Sequence, residues 1–417
     1  KALLGFALRI LSLRLGVVLL SLAQTTLWAA TLGMEGFGLI STYLSAQIIA
    51  SLLGRFGADN ILVRNFKLDS EFHTRFPGFV LASVLASIAF AGLAVFLLSA
   101  LVFRTWPAQG AFVIVICFVV VFNLSQIQSR IMLAQERQVL VSLVGGVLPV
   151  AISVGLFWTA TATEALPHVS IPTHVVALGF LAVGHLCAVL VGFLLLLKFW
   201  VECLAAARQN RIRRCLLLGR EQWYFIGYQS MGMARNQGMI LVVAAVFGPA
   251  VTGVFALANR FGSLLTYLNE PARMYVMPRV AGKTRRQLTG LYRRMVAMNA
   301  GFAVVGSGVL FALYALVDLP FSTDPPFALF TSIIMASAAI NLMVGPVGAI
   351  LAISGHEKYN FVAHLSGLFT AAVFLTAVYV FRLPLMAVFA VAASSVMINV
   401  VNTFSLVGLL RRLEEQT

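Results

Sequence analysis

Residues 248–281 read GPAVTGVFALANRFGSLLTYLNEPARMYVMPRVA. Gly248-Pro249 punctuates a turn, an apolar stretch long enough to cross a bilayer follows, and Arg273 and Arg279 close the segment with positive charge. Arg260 stands inside the apolar stretch, roughly nine residues from its start. A helix rising ~1.5 Å per residue puts it ~14 Å deep, near the middle of a ~30 Å hydrocarbon layer. A charge at that depth is costly and marks a candidate functional residue.

Working outward, composition sets the class. The chain has 417 residues, 60% hydrophobic and 10% charged, with a mean hydropathy of +0.96. Soluble domains carry about 25% charged residues, so this chain reads as an integral membrane protein. Apolar runs near the ~20 residues a spanning helix needs predict about twelve spans, at 10–31, 36–56, 78–103, 111–131, 139–160, 174–199, 222–247, 251–271, 294–317, 326–353, 359–381 and 385–410. The chain opens on Lys1 rather than Met, so a short N-terminal stretch is expected ahead of it.

The net charge of +15 is not spread evenly. Arg55, Arg64, Lys67 and Arg75 follow span 2, and Arg130 and Arg137 follow span 4. The 6–7 and 8–9 connections are strongly basic, and Arg411 and Arg412 close the chain, whereas the alternate loops carry only Arg104 and Arg382. That is the positive-inside pattern, and it predicts both termini in the cytoplasm. The basic face suits membrane lipids with anionic headgroups rather than nucleic acid. Four scattered cysteines without a CxxC pair support neither a disulfide framework nor a metal site. No cofactor motif appears.

The two halves echo one another. Gly38, Leu53 and Arg64 match Gly253, Leu268 and Arg279 at an offset of 215, and Glu136-Arg137 in LAQERQ matches Glu357-Lys358 in SGHEKY at 221. We therefore expect an all-α protein of two six-helix bundles, 1–203 and 218–417, joined by a basic cytoplasmic linker at 204–217. Six spans is an even number, so the repeats are parallel, related by an axis along the membrane normal. Gly145-Gly146 with Pro149, and Gly345-Pro346 with Gly348, interrupt spans 5 and 10, which suits either kinking or close helix packing.

A second mid-span arginine, Arg235, lies about thirteen residues into span 7, ~20 Å deep by helical rise. Asn236 and Gln237 follow it, and Asn259 sits beside Arg260. No Asp or Glu falls in the middle of any span, so neither arginine has an evident buried acidic partner. Their donors must meet backbone carbonyls, a water-filled cavity or an anionic ligand, and the planar guanidinium fork suits a diphosphate. Gln24 in span 1 and Arg14 at its head join the candidate set, although Arg14 suits snorkelling to the headgroups as well. At the inner ends of spans 2 and 8, Arg64 and Arg279, with Asp59 and Glu270, are expected to form a gate between the lobes.

TGVFALANRFGSLL with PRVA, GPVGAILAISGHEKYNF and GADNILVR resemble the Wzx-type polysaccharide flippases of the multidrug/oligosaccharidyl-lipid/polysaccharide (MOP) exporter superfamily. The resemblance runs through most of the chain and implies a MATE-like arrangement in the bacterial inner membrane. It implies a transporter rather than an enzyme, moving an undecaprenyl-pyrophosphate-linked oligosaccharide to the outer leaflet by alternating access around a cationic cavity. The glycan would serve lipopolysaccharide O-antigen, capsule or exopolysaccharide synthesis, with a polymerase and glycosyltransferases as partners. Two alternatives stand beside it. A MATE-type drug or cation antiporter would place a carboxylate in its cavity. A membrane glycosyltransferase or polymerase would need acid/base or metal chemistry, and the outer loop 161–173 offers only Glu164 and His168 as titratable groups.

Overall fold

The computed structural model describes residues 2–56, 62, 66, 72–103, 109–164, 172–207, 223–267, 285–316, 325–345, 347–353 and 356–415. Regular structure among them is helical throughout. The first helix, α1 (Ala2–Gly54), holds both of the first two expected spans, joined at Gly33, whose φ of 68° and ψ of 176° belong to glycine's territory. Then come α2 (Phe72–Leu97), α3 (Gln109–Ala134), α4 (Gln138–Ser142), α5 (Leu148–Ala162), α6 (Thr173–Leu195) and the short α7 (Leu197–Ala207). The later helices are α8 (Trp223–Phe247), α9 (Pro249–Tyr267), α10 (Arg285–Leu316), α11 (Pro325–Val344), α12 (Val347–Ile353), α13 (Glu357–Phe381) and α14 (Pro384–Glu415).

Ten helices among the described residues are long and apolar enough to cross a membrane. One of the ten is α1, which contains two expected spans; α9, 19 residues with Arg260 inside it, is not among the ten. Counting α1 twice and adding α9 gives the twelve read from the sequence. This is an all-helical, multi-pass membrane protein.

Both interruptions foreseen from Gly and Pro are present, in different forms. Between α4 and α5 a π-helical segment, Leu143–Val147, carries Gly145 and Gly146. A β-carbon on Gly145 would lie 2.5 Å from Ser129 Oγ, and one on Gly146 would lie 2.9 Å from Val17 Cγ2, so this pair permits close helix approach. Between α11 and α12 the helix truly breaks, at Gly345 with φ 79°.

Contacts divide the chain into two compact units, residues 1–233 with 248–250, and 234–247 with 251–417. Residues 204–207 of the expected linker continue α7, and 208–217 lie outside the described residues. In the first unit α3 and α5 pack on α6 and α1 packs on α2, around Phe72, Phe76, Ile127, Ile131 and Phe199. In the second, α13 and α11 pack on α14, with Met295, Val347, Ile350, Leu351 and Leu406 in one core cluster. Lipid is as apolar as these side chains, so burial alone does little to hold such bundles. Close approach and interhelical hydrogen bonds do more.

One such set ties the first unit together. Arg55, buried at the end of α1, donates Nη1 to Ser51 Oγ at 2.6 Å and to Asn123 Oδ1 at 3.1 Å. Asn123 in turn donates Nδ2 to Ser83 Oγ at 2.9 Å and to Ser87 Oγ, so α1, α2 and α3 share one polar core. The outer surface is apolar where lipid would be, with Phe369 71% and Phe404 74% exposed.

Candidate functional site

Arg235 is the central residue of the 25-residue α8, ~18 Å from either end by helical rise. It is partly buried, and its Nε donates to Asn236 Oδ1 at 3.1 Å. Its Nη1 is fully buried and has no hydrogen-bond partner among the described residues. His364 on α13 lies within electrostatic reach of the guanidinium, so the surroundings of Arg235 include a second titratable group but no carboxylate bond. Gln237, two residues on, is also partly buried.

The position of Arg260 follows from packing two residues further along α9. A β-carbon on Gly262 would run into Ile334 Cγ2, so this glycine seats α9 directly on α11. Phe261 and Phe327 add an edge-on contact at 5.9 Å. Two helical residues span about 200°, which turns Arg260 away from the Gly262 contact. Arg260 and Asn259 are both partly buried, and the Arg260 carbonyl accepts a bond from Ser263 Oγ at 2.9 Å.

The electrostatic character is one-sided. Among the described side chains the carboxylates of Glu35, Glu136, Glu164 and Glu202 are exposed, and Glu357 is partly buried at the first turn of α13. No group of three or more His, Cys, Asp or Glu among the described residues could hold a metal ion. A buried guanidinium with an unused donor is suited to bind an anion, and a two-oxygen group such as a phosphate matches its fork.

Gln24 is buried in α1 and donates Nε2 to Ser153 Oγ at 2.8 Å. Arg14 lies on α1 with its side chain outside the described residues, and Asp59, Arg64, Glu270 and Arg279, the expected gate, lie outside them altogether. Sequence reasoning counted Arg55 among loop charges and missed its buried role; Ser51, one helical turn earlier, was the available signal. It also set His364 aside, which the proximity to Arg235 brings back. His185, equally set aside, packs against the paired rings of Phe118 and Phe122 at 5.8 and 5.0 Å, as a core residue does.

As a whole the chain is similar to solved transporters. A eukaryotic MATE transporter, AtDTX14, aligns with a TM-score of 0.61 at 12% identity over 98% of this chain and 97% of that one. An outward-facing multidrug resistance MATE family transporter of the MOP superfamily aligns at 0.64, with 11% identity over 100% and 97%. A point mutant of the Vibrio cholerae MATE transporter VcmN aligns at 0.60, with 12% identity over 99% and 98%. The chain has the MATE fold. No protein-family model and no curated protein matches it. At such identities the likeness is one of fold, and fold alone does not choose a substrate.

Proposed function

We propose that this chain is a membrane transporter of the MOP superfamily that carries an anionic substrate by alternating access. The substrate is an undecaprenyl-pyrophosphate-linked oligosaccharide, moved from the cytoplasmic to the outer leaflet of a bacterial inner membrane for O-antigen, capsule or exopolysaccharide synthesis. The observation that carries this reading is Arg235, a cation at the centre of α8 with a buried donor left unused. A lipid-linked diphosphate would supply the two oxygens its fork lacks, assisted by Arg260, Asn259, Asn236 and Gln237. Loop charge supports cytoplasmic termini, and neighbouring glycosyltransferases and a polymerase would supply and consume the glycan.

A second reading, a MATE-type drug or cation antiporter, is favoured by the similar solved structures, which are MATE transporters. Comparison of folds speaks for that reading, and the sign of the buried charge speaks for the first. The Arg235→Ala, Arg235→Lys and Arg235→Glu series decides between them, read as glycan export per molecule of inserted protein and as efflux of cationic dyes. The flippase reading expects export to fall in the order Lys, Ala, Glu with dye efflux absent throughout. Wild-type export in the Ala variant, or dye efflux by the unmutated protein, would overturn it.

A further inference from the structure

A second cationic feature lies in the first unit, whereas both mid-span arginines belong to the second. A cavity of about 220 Å³ is lined by Phe66, His73, Arg137, Lys198, Phe199 and Glu202, among others. It stands where α2 begins, α3 ends and α6 ends, so three spanning helices reach the membrane boundary around it. By the distribution of loop charge this is the basic, cytoplasmic side.

Each wall has a structural cause. Arg137, in the turn between α3 and α4, donates Nη1 to the Leu195 carbonyl at 3.2 Å, which satisfies an open acceptor at the end of α6 and anchors the side chain. The rest of its fork remains available to the cavity. Lys198 projects from the first turn of α7, and neither cation makes a salt bridge within the described residues. His73 packs with Phe66 at 6.0 Å and Phe199 at 5.4 Å, two rings themselves 5.9 Å apart, giving the cavity an aromatic floor. Glu202 is the one carboxylate among the described lining residues, opposing two fixed positive charges.

The outer face of α7 supplies an independent observation. Leu197, Val201 and Leu204, spaced to share one side of the helix, are exposed, while Phe199 and Cys203 are buried against the unit. Leu194, in the last turn of α6, extends the same exposed apolar surface. An amphipathic helix at the end of a spanning helix, apolar outward and cationic toward a cavity, is built to lie at the level of lipid headgroups.

We propose that this cavity binds the phosphate of an anionic phospholipid of the cytoplasmic leaflet, with Arg137 and Lys198 holding the phosphate and the acyl chains lying along Leu194, Leu197 and Val201. The proposal does not depend on which substrate is carried. A lipid seated there would fix α7 to the ends of α3 and α6.

The test uses full-length purified protein and two readouts, lipid retained in native mass spectrometry and the thermal midpoint on titration with phosphatidylglycerol or phosphatidylcholine in micelles. The expected result is preferential retention of phosphatidylglycerol and a rise in midpoint with that lipid. Lys198→Gln should weaken binding roughly fivefold, the worth of one basic residue near a charged surface, and Glu202→Gln should strengthen it. Arg137→Gln adds a further loss, but it also breaks the bond to Leu195, so the Lys198 and Glu202 variants carry the decision. Arg382→Gln, at the opposite end of the spans, should change nothing. Equal affinity for the two lipids, or unaltered phosphatidylglycerol binding in both the Lys198 and Glu202 variants, would overturn the proposal. Soluble glycerol 1-phosphate serves as the remaining arm: a midpoint shift as large as that from phosphatidylglycerol would overturn the assignment to lipid.

Discussion

Gln24 and Ser153 are joined by a buried 2.8 Å hydrogen bond between helices 129 residues apart in sequence. The bond fixes α1 against α5 and also occupies a side chain that sequence reasoning assigned to substrate. Gln24→Ala leaves the Ser153 hydroxyl without this donor, at a cost of about 0.6–1.7 kcal/mol for such bonds in membrane bundles. The thermal midpoint should fall by a few degrees, with Ser153→Ala producing a similar fall and the double variant little more than either. Loss of export at an unchanged midpoint would instead return Gln24 to the cavity.

The Arg55 set is more demanding, because it includes a charge. Asn123→Leu removes the acceptor for Arg55 and the donor to Ser83 and Ser87 at once. Leaving buried polar groups unmet costs about 1–3 kcal/mol each, so yield and thermal midpoint should both drop more than for Gln24→Ala. Fluorescence-detected size-exclusion chromatography on heated samples measures this directly. Asn123→Gln should do better than Asn123→Leu, since it retains the amide.

Gly345→Ala should be destabilising by about 1–2 kcal/mol, because φ of 79° sets Cβ against the backbone in any L-residue. Gly348→Ala has a different cause: its β-carbon would lie 2.9 Å from Asn360 Oδ1, and Asn360 already donates to the Gly348 carbonyl at 2.6 Å. Unfolding curves of the two variants alone and with Asn360→Ala should show that loss of Asn360 relieves Gly348→Ala but not Gly345→Ala.

Cys203 is buried in α7, and burial first, with the Glu202 carboxylate second, pushes its thiol up to about 12 from an ordinary 9. The thiol form is therefore the one the folded protein keeps. Its stabilisation is complete below pH 9 and is lost as pH rises from 9 toward 12, where the unfolded thiol ionises first. A variant retaining only Cys203 should resist maleimide at about pH 7.5 until unfolded, and Cys203→Ala should show a shallower loss of thermal midpoint above pH 9. Rapid labelling of the folded protein at neutral pH would contradict this.

Orientation can be read at two exposed turns. Cysteines replacing Glu164, after α5, and Glu136, after α3, lie at opposite ends of consecutive spans. With cytoplasmic termini, an impermeant thiol reagent on intact cells should label the first and spare the second. The reverse pattern would invert the topology and relocate the phospholipid site to the outer leaflet.

The spans were legible because apolar length is a direct statement about lipid. Each expected span overlaps a described helix, including α9 despite Arg260. Hinges were legible by position but not by kind: glycine and proline announce an interruption, yet only packing decides between a π segment, as at Gly145-Gly146, and a true break, as at Gly345. The depth of Arg235 followed from counting residues. The partners of Gln24 and Arg55 did not, because Ser153 and Asn123 lie 129 and 68 residues away and serines and asparagines recur throughout the chain. The amphipathic face of α7 was obscured for a related reason, since the apolar run of α6 continues through Leu196 and Leu197 with no glycine or proline to mark the start of a new helix.

Arg235 also bears on how the protein is made. With a mean hydropathy of 1.2, α8 has the least apolar window of the ten candidate spans, and an arginine at a helix centre adds ~2.5–3.5 kcal/mol to insertion. Such a helix leaves the translocon poorly until polar surroundings exist to shelter the charge. Part of those surroundings, His364 on α13, is synthesised only near the end of the chain. Insertion of α8 thereby becomes a late event in synthesis, and a ribosome-bound chain that stops short of α13 should hold α8 at the translocon long before any substrate is met.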